Sequence, residues 1–410
     1  MANLSTRRVV ITGMGAISPL GVGAETLWQG LREGRSGIGP LRHEDAGRLR
    51  VKIAAQVPAS FDPAANIDER TLPLLDRTSE FALHAAREAI AGSGLDFSQD
   101  DLGLRTAVIV GTGVGGETTQ DEQSRRLYRE NAQRVHPLSI VRLMTNASAS
   151  QISIAWGLRG PTFAVASACA SANHAIIQAA QMIRYGLADV AIAGGTEACL
   201  TYGALRAWEA MRVLADDTCR PFSANRRGLV LGEGAGIFVL ESLEHAQARG
   251  ALILAELAGS GMTADATDIV MPSAVGSAAA MTQALVDAGL APQDVDYINA
   301  HGTGTAANDA TESKAIRLAF GAHADRLAVS STKSMHGHAL GASGALELVA
   351  VIGALRDGVV PPTANLDKAD PACDLDYVPN VGRQMSVRAA LSNSFAFGGL
   401  NAVLALKRAP

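Results

Sequence analysis

The chain has 410 residues, 48% of them hydrophobic and 18% charged, enough for two domains or two fused halves that each bury a core. A net charge of −5 offers no global attraction to nucleic acid or an anionic membrane, and no apolar run reaches the roughly 18 residues that span a bilayer. With 42 glycines but no low-complexity stretch, the composition excludes disorder and points to close helix–sheet packing, and it also suits a large buried subunit interface.

Taken from the start, RRVVITGMG enters a strand almost at once, without an apolar signal region or a cleavage site, so a cytoplasmic location is expected. Strand-like runs follow at TAVIVGTG (106–113), ADVAIAGG (188–195) and GAGIFVLE (234–241), then at VDYINAHG (295–302), LAVSST (327–332) and NAVLALKR (401–408). Several are continuous β-branched or aliphatic runs ending in glycine, as strands buried on both faces are. Ala-rich amphipathic segments such as 171–186 and 341–356 lie between them, which predicts an α/β fold with parallel or mixed sheets. A faint internal echo divides the chain near residue 255. In each half a strand is followed by a reactive segment and a long Ala-rich helix, so two halves, 1–255 and 256–410, are expected. Four cysteines (Cys169, Cys199, Cys219, Cys373) without CxxC pairing suit free thiols in a reducing compartment.

The segments that carry chemistry come in the same order. Gly111-Thr-Gly113-Val-Gly-Gly116 satisfies GxGxxG after a strand, but Glu117, Asp121 and Glu122 follow and would repel a pyrophosphate. No strand ending in an acid comes about 20 residues later, so a dinucleotide site is not expected. SRRLYRE, with Arg125, Arg126 and Arg129, is either a landing site for an acidic partner or a solvated helix face. In ASACASANHAI, Cys169 stands at or just before a helix start, where the macrodipole favours a thiolate. Small neighbours leave its sulfur accessible to a bulky group. A buried structural thiol is the competing reading there, and the better one for the other three cysteines.

NAHGTGT places His301 at a strand end, where open α/β sheets hold reactive groups, with Asp309 and Glu312 read as charges at the next helix start. In SSTKSMHGH, Lys333 beside His338 would keep the imidazole neutral and able to donate a hydrogen bond. Metal binding by His336 and His338 is disfavoured because no acidic or cysteine ligand shares the segment. SNSFAFGGLN, with Phe397 before paired glycines, suits either an oxyanion-binding turn or a plain hairpin.

Jointly, ASACASANHAI, AGGTEA, RPFSANRRGLVLGEGAG, NAHGTGTAAND, SSTKSMHGHALGASGALE and SNSFAFGGLN resemble the β-ketoacyl-acyl carrier protein synthase family over essentially the whole chain. The Cys–His–His set is similar to that of the elongating class, and RPFSA and SACASANHAI look closest to nodulation-type synthases. The resemblance implies a thiolase-like, duplicated five-layer αβαβα core in a homodimer. It implies Cys169 as acylated nucleophile, His301 and His338 as partners of the malonyl thioester carbonyl, Lys333 as electrostatic tuner and Glu347 as anchor. Backbone amides of Cys169 and Phe397 would form the oxyanion hole, and the Phe397 ring would gate the acyl pocket. Val114, Thr303, Thr305, Phe395 and Gly398 would bind substrate, and Arg125, Arg126, Arg129, Arg206 and Arg212 would contact an acyl carrier protein.

The implied reaction is a decarboxylative Claisen condensation of acyl and malonyl thioesters, with no cofactor and no metal. Thiolase chemistry, a non-catalytic partner subunit and a nicotinamide oxidoreductase are the competing functions. Departures from the family pattern are Ser223 and Arg227 in RPFSANRRG, His336 where threonine is usual, and Ala396 and Leu400 in FAFGGLN.

Overall fold

The computed structural model describes residues 7–98 and 100–410. Ten strands carry the architecture. In the first part of the chain they are β1 (Val9–Ser18), β2 (Thr106–Gly111), β3 (Thr162–Val165), β4 (Val190–Glu197) and β5 (Gly234–Ser242). In the second they are β6 (Ala255–Ala264), β7 (Tyr297–Asn299), β8 (Ala328–Ser330), β9 (Ala389–Ala396) and β10 (Leu400–Arg408). They form one continuous order, β8-β7-β9-β10-β6-β1-β5-β4-β2-β3. Each five-strand arm therefore reads third, second, fourth, fifth, first, outside to inside. Within each arm the three outer strands run parallel and the remaining neighbours antiparallel. The arms meet where β1 pairs with β6 over Val9–Ile11.

Helices α1 (Arg77–Ser93) and α3 (Ala147–Trp156) cover the outer face of the first arm, and α6 (Ala274–Ala288) and α7 (Ala306–Phe320) that of the second. Between the arms lie α4 (Ser171–Arg184) and α8 (Ser343–Asp357). This gives the five layers of a thiolase-like α/β fold. A helix that is apolar on every side belongs in an interior, and α8 is buried from Ser343 through Leu355. Glycine permits the close stacking: a Cβ on Gly111 of β2 would stand 2.3 Å from the Ser171 carbonyl carbon.

All the strands read from sequence are present. β6 escaped the pattern because AELAGSGMTA mixes glycines and serine into the run, and these have low strand propensity. Those glycines let α6 approach, since a Cβ on Gly261 would meet the Ala280 carbonyl oxygen at 2.0 Å. No helix among the described residues is long and apolar enough to cross a membrane.

Candidate active site

Reactive groups gather beyond the C-terminal ends of the parallel strands, where open α/β sheets present them. Cys169 follows β3, His301 follows β7, Lys333 and His338 follow β8, and Phe397 follows β9. β3 leads into a short 3-10 turn, Ala168–Ala170, whose first residue has φ +48°. Ser171 fixes that turn, its hydroxyl donating to the Ala168 carbonyl (2.6 Å) and accepting from the Ser167 amide (2.9 Å). A matching turn, Leu340–Ala342, opens with Leu340 at φ +42° and leads into α8. The backbone of His338 is clamped across Val230 and Gly232, which explains the GLVLG part of the longer motif.

These turns bring Cys169 Sγ to 3.1 Å from His338 Nε2. The expectation that the helix start makes Cys169 a resting thiolate is corrected: burial pushes its thiol up to about 12, against the pull of the Lys333 charge. Burial likewise raises Cys219 to about 12, Cys373 to about 11 and Cys199 well above the ordinary value. Acidity therefore does not single out Cys169. Position does, because it lines a cavity of about 100 Å³ together with both histidines.

His301 and His338 stand edge to face, ring centroids 5.4 Å apart. Burial first, and then the Lys333 charge, holds both well below the usual imidazole range, so both are neutral. Lys333 Nζ lies 2.7 Å from the His301 carbonyl and 3.3 Å from His301 Nδ1, and it pairs with Glu347 on α8. An ammonium only donates, so His301 Nδ1 accepts and Nε2 carries the proton. His338 Nδ1 instead meets the Ser343 hydroxyl at 2.8 Å.

The ligand atoms of Cys169, His301 and His338 lie within 4.8 Å of one another. The Nε2–H of His301 and the nearby ammonium make this a poor metal site. His336 turns away from the cavity, its Nε2 at 3.0 Å from Thr332 Oγ1.

Asp309 does stand in the first turn of α7, as read, with Glu312 one turn further on, but neither is a solvated helix-start charge. Thr305 caps α7, and both acids are buried and hold loops. Glu312 accepts from the amides of His301 (2.8 Å) and Gly302 (2.7 Å), and Asp309 from those of Phe222 (2.8 Å) and Gly304 (3.2 Å). Their three-residue spacing on the helix entered directly from the His301 loop was the available signal. Glu312→Gln would turn an amide donor toward donors. A stability loss of about 1.5–3 kcal/mol and a fall in activity are expected, checked by denaturant unfolding beside a turnover assay.

Glu197 is a further buried carboxylate that the sequence did not flag. It accepts from the amides of Gly113 (2.6 Å), Val114 (3.3 Å) and Gly341 (2.9 Å). Two amides of the GxGxxG-like loop are thus already occupied. Around the Lys333 network, Asn299 Oδ1, Glu347 Oε2, Ser392 Oγ and Asn393 Oδ1 are buried with no hydrogen-bond partner among the described residues, and ordered water commonly meets oxygens of this kind.

The cavity is lined by apolar Trp208, Val213, Val270 and Pro272 and by polar Thr303, Thr305 and Asn308. Phe395 and Phe397 line it, whereas Gly398 and Val114 do not, and Val114 is exposed. Phe397 precedes Gly398 (φ +82°) and Gly399 (φ +69°), and this turn is tied to a neighbouring loop by Gly398 N–H to Ile269 O (2.8 Å) and Asp265 N–H to Gly399 O (2.9 Å). Ala396 is the last residue of β9, and its methyl group forms part of the wall.

Residues 6–246 match the Beta-ketoacyl synthase, N-terminal domain family, and residues 254–367 match the Beta-ketoacyl synthase, C-terminal domain family. The chain belongs to the β-ketoacyl synthase family. It is 52% identical to Nodulation protein E of Rhizobium sp. (strain N33) over 402 residues, covering 98% of this chain and 99% of that one. It is 43% identical to 3-oxoacyl-[acyl-carrier-protein] synthase 2 of Coxiella burnetii (strain RSA 493 / Nine Mile phase I) over 413 residues, covering 99% of each. Among solved structures, the ishigamide ketosynthase/chain length factor superimposes with a TM-score of 0.93 at 38% identity, over 99% of this chain and 100% of that one.

Two departures of this β-ketoacyl synthase from its family pattern lie off the cavity. Ser223 is buried and bonds the Lys368 backbone, and Arg227 is at the surface with Asp216. Of the arginines read as carrier contacts, Arg125 pairs with Glu44, Arg129 with Asp45 and Arg206 with Glu209. Arg126 is half-buried beside Arg125 on α2 (Glu117–Tyr128), whereas Arg212 is exposed beside Val213 of the cavity wall.

Proposed function

We propose that this β-ketoacyl synthase catalyses the decarboxylative condensation of an acyl-enzyme with malonyl-acyl carrier protein, giving 3-oxoacyl-acyl carrier protein for fatty acid or related acyl-chain synthesis. The observation that carries this is the contact of Cys169 Sγ with His338 Nε2 beside a neutral His301 whose proton is held on Nε2. In the first half-reaction His338 Nε2 takes the thiol proton as sulfur attacks the acyl thioester, and then gives it to the departing carrier thiolate. Amides of Cys169 and Phe397 receive the developing oxyanion. In the second, the remaining His338 proton moves from Nδ1 to Nε2, which the Ser343 hydroxyl at Nδ1 (2.8 Å) permits because it can accept or donate. The Nε2–H groups of His301 and His338 then hydrogen-bond the malonyl thioester carbonyl, CO₂ leaves, and the enolate attacks the acyl carbon. Cys169 leaves as thiolate and takes up a proton. Acyl groups and CO₂ move without net electron transfer, so the chemistry needs no redox cofactor.

Thr303, Thr305 and Phe395 line the cavity, which supports reading them as substrate-binding, with Gly398 in the turn beside it. Val114, exposed here, would join the acyl pocket once a second copy covers it, in keeping with a homodimer. The relative's name, 3-oxoacyl-[acyl-carrier-protein] synthase 2, supports the carrier as partner. Arg212 is the best placed of the docking arginines, with Arg125, Arg126, Arg129 and Arg206 further contacts. We take 1–255 and 256–410 as the two halves, supported by the repeated strand order, and the cytoplasm as the location.

Intact-mass measurement after incubation with a panel of acyl-carrier proteins should show one acyl adduct, which peptide mapping places on Cys169. Turnover should then require malonyl-carrier protein. Turnover with an acetyl thioester in its place would indicate a thiolase, and absence of any adduct a non-catalytic partner subunit.

A further inference from the structure

Trp208 has no part in the chemistry above, yet it faces the same cavity as Cys169. It lies on α5 (Tyr202–Met211), a helix fixed at its start by the Thr201 cap. Next to it, Glu209 accepts from the amides of Arg50 (2.5 Å) and Val51 (2.9 Å), so α5 is also pinned at this end. The indole stacks on the Phe397 ring, centroids 6.0 Å apart and planes 24° apart. The contact thus pairs a ring on an anchored helix with a ring on a glycine turn.

We propose that Trp208 is a positioning residue for the acyl gate: its stacked indole holds the Phe397 ring over the cavity and so selects which acyl chains reach Cys169. This rests on the ketosynthase reading. Because Gly398 and Gly399 are hydrogen-bonded to the loop of Asp265 and Ile269, Phe397 yields mainly by turning its side chain, and that motion breaks the stack. Leucine at position 208 would fill much of the space without stacking. Phenylalanine would restore an aromatic face. Loss of an aromatic pair shifts such an equilibrium by about 2- to 12-fold.

The test measures Cys169 acylation by rapid quench and intact mass, with a short and a long acyl-carrier protein. In Trp208→Leu, acylation by the long chain should rise about 3- to 10-fold, at the scale of one lost aromatic pair. The short chain, which passes without moving the ring, should gain less than about 2-fold on the same basis. Trp208→Phe should return toward the parent rate. In a Phe397→Leu background, Trp208→Leu should add nothing, because the ring it acts on is gone. Equal rates for both chains in parent and Trp208→Leu, or the same gain with Phe397 absent, would overturn the proposal. Should Trp208→Leu fail to fold, Trp208→Phe and Trp208→Tyr must keep the parent's chain preference, or the proposal falls. A parent protein that never acylates Cys169 would sink the ketosynthase reading itself, and the gate with it.

Discussion

His338→Ala should slow malonyl decarboxylation by about 10²–10³, the usual cost of losing one donor to a developing oxyanion. In the proposed mechanism the enolate needs a neutral N–H held in place, and His338 would supply it from Nε2, on a backbone clamped by Val230 and Gly232. The same ring touches Cys169, so acylation should also slow, by a smaller factor, because a substrate-bound water can replace a proton acceptor more readily than an aimed donor. Stopped-flow release of CO₂ and intact-mass acylation separate the two half-reactions. His336→Ala is the control, since His336 bonds Thr332 outside the cavity. Near-normal condensation in His338→Ala with loss in His336→Ala would reverse the assignment.

Much of this was legible beforehand because the reactive segments sit at strand ends and helix starts, and those boundaries are marked by glycine and small residues. Cys169, His301, Lys333 and His338, which the structure brings together, were picked out in that way. Glu197, Asp309 and Glu312 were missed or misread, since a carboxylate that gathers backbone amides from distant loops leaves no local pattern. The acidity of Cys169 was misjudged for a related reason. A helix start is visible in sequence, whereas the desolvation that overrides it depends on everything packed around the sulfur. Ala396 could not be interpreted from sequence for the same reason: it closes an extended strand and lines the cavity, which no local pattern shows.

Lys333→Met should destabilise the fold by about 3–5 kcal/mol, the cost of leaving one member of a buried ion pair alone. It should also nearly abolish decarboxylation, because His301 loses the donor that fixes its proton on Nε2. Pairing it with Glu347→Leu removes the stranded carboxyl and should recover most of the stability while the catalytic loss remains. Urea unfolding and CO₂ release, run on both variants, check the two halves of this expectation. If the double variant recovered activity along with stability, Lys333 would be a packing element only. Burial raises Glu347 to about 7, so wild-type decarboxylation should fall as pH drops through that value and the carboxyl loses its charge. Glu347→Gln should flatten that limb.

The two matching turns that lead into α4 and α8 differ in what their second residue is. Cys169 occupies the position in one, Gly341 in the other. A side chain at 341 would have nowhere to go: its Cβ would stand 2.3 Å from the Gly113 nitrogen and 2.6 Å from Glu197 Oε2. The second turn is therefore closed to a nucleophile of its own by the very carboxylate that ties the loops together. A single acyl group per polypeptide is therefore the expected limit of loading, however large the excess of donor, and an assembly of two chains should titrate with two.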